Sequence, residues 1–354
     1  MKKLLLALLS AAVLVGCSPN NDTATPTAAP TTGVYVLSEG QYGAGDGAVS
    51  AFDKSTKSLT VDAFGAANAG AKLGDVVQDM GVVSNRGYVC VNNSRKVEVV
   101  SLPDFKSVTT IRHIEQPRYF AASATRGYVT SWRGNYTGYQ PGKVMVIDLS
   151  TNQLIDSITV GRCPEQAALL SNSLYVPNSY DNTVSIIDLT TNRVSSTITV
   201  ADGPTGAIID QANNVWVICS GFTVYNSQPP YNVLSSTPGT LAHFAPGSPA
   251  NVTKLAFATA GPRTLRISPD RSQLYYSYGG AEYSLSTSAT ALPTAPFLRR
   301  SFSGFAIDPR DNSIFGAVSP SYSSNGYFLH YSAGGGTRLD SVTVRVGPNG
   351  FAFY

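Results

Sequence analysis

The feature that most restricts this chain is a repeat. Residues 174–204 read LYVPNSYDNTVSIIDLTTNRVSSTITVADGP. Three short runs stand out: one opening at Tyr175, one over 183–188 with Val184, Ile186 and Asp188 alternating, and one over 194–200. A polar Thr-Thr-Asn-Arg turn joins the last two, and Gly203-Pro204 then opens a fourth apolar segment at 205–209. Four antiparallel strands in about 40 residues have the length and pattern of one propeller blade.

The rest of the chain repeats this unit. Comparable aromatic-rich strands begin at Val34, Tyr88, Tyr128, Val215, Leu274 and Ile314, giving seven with Leu174. Their starts lie 40–46 residues apart, except for 54 after the first and 59 after the fifth, which marks insertions there. A second strand type precedes each restart and is often opened by proline: 117–123, 164–170, 204–209 and 262–268, with 76–82 and 302–307 in equivalent places. Proline suits that position because its missing N–H falls before the ladder begins. The seventh copy, 348–353, ends the chain. Pairing it with the strand at Val34 would leave no long sheet edge open. The expected fold is all-β, a seven-bladed β-propeller over residues 33–354, closed by its N- and C-terminal strands. The repeats at 215 and 274 fit the template least well.

Charged residues make up 13% of the chain, and the formal charge of +3 falls to +1 without Lys2 and Lys3. Without a concentrated basic face, no nucleic-acid partner is expected. Met1-Lys2-Lys3 leads an apolar run over 4–15, too short to span a bilayer as a helix. It ends Leu14-Val15-Gly16-Cys17, which resembles the lipobox of bacterial lipoproteins and implies lipidation at Cys17. Residues 1–17 are thus read as a lipoprotein signal peptide and 18–32 as a flexible tether. The lipoprotein resemblance implies attachment to an outer membrane, by the lipid anchor alone. Cys90, Cys163 and Cys219 show no metal-ligand spacing and are read as structural.

Propeller topology sorts the loops. Connections leading into innermost strands, and those between second and third strands, share one face. The opposite face has short turns such as 54–57, 151–152 and 190–192, and reads as purely structural. The long insertions lie on the first face and carry aromatics. Blade one offers Glu39, Gln41 and Tyr42 in EGQYGAGDG. Blade three offers Trp132, Arg133, Asn135, Tyr136 and Tyr139 in WRGNYTGYQPG. Blade four gives Asn178, Tyr180 and Asp181, and blade five gives Phe222, Tyr225 and Tyr231. Tyr278 and Tyr322 follow. Clustered rim aromatics point to binding, although long loops can also use such rings as small cores of their own. Nearer the axis, the starts of the innermost strands place Asp75, Gln78 and Asp79; Arg118 and Tyr119; Glu165 and Gln166; Thr205; Arg263; Ser303; and Asn349. About half of these are expected to serve blade-to-blade hydrogen bonds. The mixture suits a large ligand with apolar faces and amides or hydroxyls.

The chemistry of catalysis is missing. His113, His243 and His330 map to outer strands, so neither a Ser-His-Asp site nor a histidine metal site is expected at the mouth. GAGDG at 43–47 opens no helix and is not a phosphate loop. The carboxylates Asp75, Asp79 and Glu165 could hold Ca²⁺ or serve as acids and bases, but their spacing is not specific. The chain is read as a non-enzyme with no cofactor and no assigned metal site.

Blade four closely resembles the YVTN-type propeller repeat of bacterial cell-surface proteins. Segments such as LSEGQYGAGDGAVSAFD, GDVVQDM, VNNSRKVEVV, PRYFAASATRGYVTSW and GRCPEQAALLSNSLYVPNS resemble a Bacteroidetes lipoprotein subgroup that includes BtuG-type surface proteins. That resemblance implies capture of cobalamin-like corrinoids in cooperation with a TonB-dependent transporter. A glycan- or protein-binding surface module is the alternative, and a lactonase-like or quinoprotein-associated propeller enzyme a further one.

Overall fold

The computed structural model describes residues 33–135 and 137–354; the expected signal peptide with Cys17, the expected tether and Tyr136 lie outside them. Seven antiparallel sheets follow one another around an axis. Blade two shows the plan, with Val77–Val83 innermost, then Arg86–Val91, Lys96–Ser101 and Ser107–Arg112. Blade three begins at Pro117–Ala122, blade five at Pro204–Ile209 and blade seven at Gly304–Ile307. The seven aromatic-rich strands inferred from sequence are all second strands.

Alternation within each strand sends one set of side chains to each neighbouring blade, so the core lies in the gaps between sheets. Between blades two and three, Tyr88, Val97, Val99 and Ile111 meet Val129, Met145 and Ile147. There the Phe120 ring stacks on Tyr88 at 4.8 Å and 11°. It is also wedged between two glycines: a Cβ would approach it to 2.0 Å at Gly81 and 2.7 Å at Gly127. On the face with short turns, Asp148 accepts hydrogen bonds from the Ser150 and Thr151 N–H groups, and Asp188 does so from Thr190. These self-contained turns need nothing from neighbouring loops.

Closure occurs in blade one. Pro348–Phe353 pairs with Gly33–Ser38, Val34 opposite Phe353 and Val36 opposite Phe351. A turn of blade seven fastens both chain ends on the short-turn face. Arg310 donates to Tyr354 O at 2.9 Å and to Gly33 O at 3.2 Å, and its guanidinium pairs with the fully buried Asp308. Lys54 of blade one binds Asp308 and Asp311 of the same turn.

The structure departs from the sequence reading in four places. Blade four's innermost strand is only Ala168–Leu170, and Pro164 makes an isolated bridge to Asn178. Blade six has three strands. Its fourth position is taken by an irregular segment containing Pro293 and Pro296, which touches the sheet through one bridge, Glu282 to Leu298; prolines cannot sustain a ladder. The fifth-blade insertion forms a hairpin, Thr223–Tyr225 with Val233–Ser236. The first-blade insertion includes a short helix, Ala63–Ala67, capped by Asp62 and packed through the buried Phe64.

Replacing Arg310 with alanine should lower unfolding free energy by about 2–4 kcal/mol in urea titrations, because Asp308 stays buried with part of its compensation gone. Deleting residues 348–354 should abolish the cooperative transition altogether.

Candidate functional site

The innermost strands begin at one end of the axis, and there the structure gathers most of the polar residues expected at the mouth. Some act as seams. Asn92 donates to Pro117 O, the Trp132 indole N–H to Pro164 O at 3.1 Å, Ser220 to Pro262 O at 2.8 Å and Ser303 to Pro348 O at 2.6 Å. In each case a donor from one blade satisfies the carbonyl of the proline that begins, or leads into, the next innermost strand. Asn349 likewise donates to Val77 O at 3.1 Å and to Glu39 at 3.0 Å.

Arg118 is held across three blades. Its guanidinium donates to Gln78 of blade two at 2.6 Å and pairs with Glu165 of blade four at 3.2 Å. It also lies 4.3 Å from the centre of the Trp132 ring, a cation–π contact. From Trp132 the rings continue edge to face. Trp132 meets Tyr139 at 5.4 Å, Tyr139 meets Tyr180 at 4.7 Å, and Tyr180 meets Phe222 at 5.7 Å. Four rings from blades three, four and five thus form one wall. They do not form a closed loop core, since Tyr180 is still 39% exposed and Phe222 40%.

Beside this wall, a cavity of about 380 Å³ follows the axis, lined by Asp79, Tyr119, Gln166, Arg263 and others. Glu39 and Gln78 belong both to it and to a cavity of about 530 Å³ between the loops of blades one, two and seven, where Tyr42 and Tyr322 stand. Arg133 lines neither cavity; it turns to Glu115 at 3.7 Å, in the connection that leads into blade three. Tyr225 and Tyr231 sit on the fifth-blade hairpin and its loop, away from these cavities.

One central residue escaped the sequence reading. Arg266 donates to Phe305 O at 2.9 Å and to Gln166 at 2.8 Å, linking blade six to blades seven and four. A register shift between Arg263 and Arg266, with Thr264 at φ 57°, brings it to the axis. Sequence carried a signal for it. Aligning the innermost strands puts Gly81, Ala121, Ala168, Ile208, Ala306 and Ala352 in equivalent places, so Arg266 is the one charged residue in that column.

Burial sets the ionisation of the axis. It pushes the Asp79 carboxyl up to about 6, despite a hydrogen bond from the Phe120 N–H at 2.8 Å, and Tyr119 up to about 12. It lowers Arg266. The three thiols are all buried and raised, Cys163 and Cys219 to about 12, which makes them poor nucleophiles. Among the described residues, no three His, Cys, Asp or Glu side chains converge as a metal site would require. His243 and His330 lie on third strands; His113 sits one residue beyond an outermost strand, in the connection to blade three.

Because Asp79 holds its proton more tightly when folded, its contribution falls as pH rises from about 4 to 6. Asp79→Asn should therefore match the parent near pH 4 and exceed it by about 1–3 kcal/mol above pH 7 in chemical denaturation.

The ring is shared widely among solved structures. A quinonprotein alcohol dehydrogenase-like protein from Bacteroides thetaiotaomicron aligns at TM-score 0.66 and 13% identity, over 91% of this chain and 78% of that one. A functionally unknown protein from Desulfotomaculum acetoxidans aligns at 0.64 and 13%, over 91% and 98%. A hydrazine synthase chain of Kuenenia stuttgartiensis aligns at 0.59 and 13%, over 93% and 99%. At such identity the likeness is one of fold. No curated protein matches the sequence. Residues 32–298, about three quarters of the chain, match the family described as Domain of unknown function (DUF5074), and the protein belongs to that family.

Proposed function

We propose that this propeller is a non-catalytic capture protein that takes a large ligand at its loop-rich mouth. The observation that carries the reading is the continuous wall of Trp132, Tyr139, Tyr180 and Phe222, left part-exposed beside a polar funnel. A wall of edge-packed rings offers a broad apolar surface, while Arg118, Gln78 and Glu39 offer donors and acceptors within reach of the same ligand. The corrinoid class combines a wide apolar ring with peripheral amides, and the sequence resemblance to corrinoid-capturing lipoproteins favours it. In this reading Cys17 carries the lipid and the cargo passes to a TonB-dependent outer-membrane transporter. Raised thiols and scattered histidines favour binding over catalysis.

A second reading has its own support. Tyr42 and Tyr322 are 79% and 90% exposed on the far side of the mouth, and sugar rings stack on such side chains, so a glycan is the alternative cargo.

Mixing the purified protein with cyanocobalamin and desalting it should carry red colour with the protein peak. Tyr180→Ala and Phe222→Ala should each weaken capture about tenfold. They are better probes than Trp132→Ala, which also removes the seam bond to Pro164. A colourless peak at micromolar protein rejects the corrinoid, and a glycan array then tests the alternative. Cys17→Ala should move the protein from the membrane fraction to the soluble one.

A further inference from the structure

The axial cavity of about 380 Å³ is lined by four charged side chains: Glu39 from the loop of blade one, Asp79 from blade two, and Arg263 and Arg266 from blade six. Among the described residues, none of the four takes part in an ion pair. Arg266 donates to Phe305 O, Gln166 Oε1 and Leu265 O, all neutral. Arg263 donates to Ser301 Oγ and Phe302 O, also neutral. Asp79 accepts from the Phe120 N–H and Glu39 from the Asn349 amide. Immediately beside them, Arg118 and Glu165 are paired at 3.2 Å.

Arg263 is exposed at the cavity's edge, whereas Glu39, Asp79 and Arg266 are part-buried, and charges partly withdrawn from bulk water ordinarily find a partner. Here the opposite charges stand on different blades, and none comes within ion-pair distance of another. Blades two and six stand three places apart, the greatest separation a ring of seven allows, and blades one and six stand two apart. Carboxylates and guanidiniums therefore face each other over the cavity, and its contents must match them. A monovalent ion would satisfy one wall and leave the other unmatched. A neutral guest would satisfy neither.

We propose that the axial cavity is a binding site for a small zwitterion of the amino-acid or short-peptide class. Its carboxylate meets Arg263 and Arg266, and its ammonium faces Glu39 and Asp79. The volume lies at the low end for small-molecule sites, which run from roughly 300 to 1,000 Å³. Arg266 is already fixed by Gln166 and Phe305, so little side-chain freedom is lost when a carboxylate arrives. Neutral groups of Gln78, Ser303 and Asn349 complete the lining. The site uses none of the wall rings, but it shares Glu39 and Gln78 with the mouth, so the wall variants are what separate its test from that of the mouth cargo.

Isothermal titration calorimetry on the purified protein tests this with L-alanine, glycylglycine and 6-aminohexanoate, whose charges lie progressively further apart. Propionate and propylamine are the single-charge controls. At least one zwitterion should bind saturably, with both controls about tenfold weaker or more. Arg266→Gln and Asp79→Asn should each weaken it about tenfold, with Tyr180→Ala and Phe222→Ala unchanged. Should Arg266→Gln fail to fold by circular dichroism, the exposed Arg263→Gln replaces it, with the same loss expected. The proposal is overturned if no zwitterion binds at about 10 mM. It is equally overturned if propionate binds as well as the best zwitterion, or if the folded charge variants bind like the parent.

Discussion

Everything in this molecule depends on one pairing, that of Pro348–Phe353 with Gly33–Ser38. A propeller blade is apolar on both faces and cannot bury either alone, so each sheet is stable only between two others. An open ring would expose the end blades and strip a ladder from blade one. Arg310 and Lys54 concentrate on this joint, with Asp308 wholly buried between them. The same closure fixes the axis, and the axis fixes the mouth. Residues more than 250 positions apart, such as Asn349 and Gln78, are neighbours only because the ends meet.

At the axis, structural and cavity-facing roles share residues. Ser303 and Asn349 are seam groups: their hydrogen bonds tie blade to blade and are spoken for. Trp132 serves both ends, its N–H in a seam and its ring in the wall. Glu39, Asp79, Arg263 and Arg266 have no such ionic commitment. Ser303 is consumed by the Pro348 carbonyl and Asn349 by the Val77 carbonyl of the next blade, whereas the four charged groups keep only neutral partners.

The fold was legible because its unit is short, local and repeated. Strand alternation, turn residues and leading prolines recur often enough that seven imperfect copies reinforce one another. Blade six misled in detail because Pro293 and Pro296 break its fourth strand, and absence of a ladder has no positive signature. The site was legible as a set of loops more than as a geometry. Trp132, Tyr139, Tyr180 and Phe222 share a rim because topology puts them there, whereas the turning away of Arg133 depends on Glu115, a partner outside that set. Arg266 stands in a strand, RTLRI, that already carries Arg263 and Thr264, and only comparison with the six equivalent small or apolar residues marks it as out of place.

The Arg310 clamp also has a bearing on orientation. It grips Gly33 and Tyr354 together on the face of short turns, so the chain joins the ring at the side remote from the aromatic wall. Anything fastened through the residues before Gly33 therefore holds the ring from behind. A surface joined at that side would face the short turns and leave the mouth open on the opposite side.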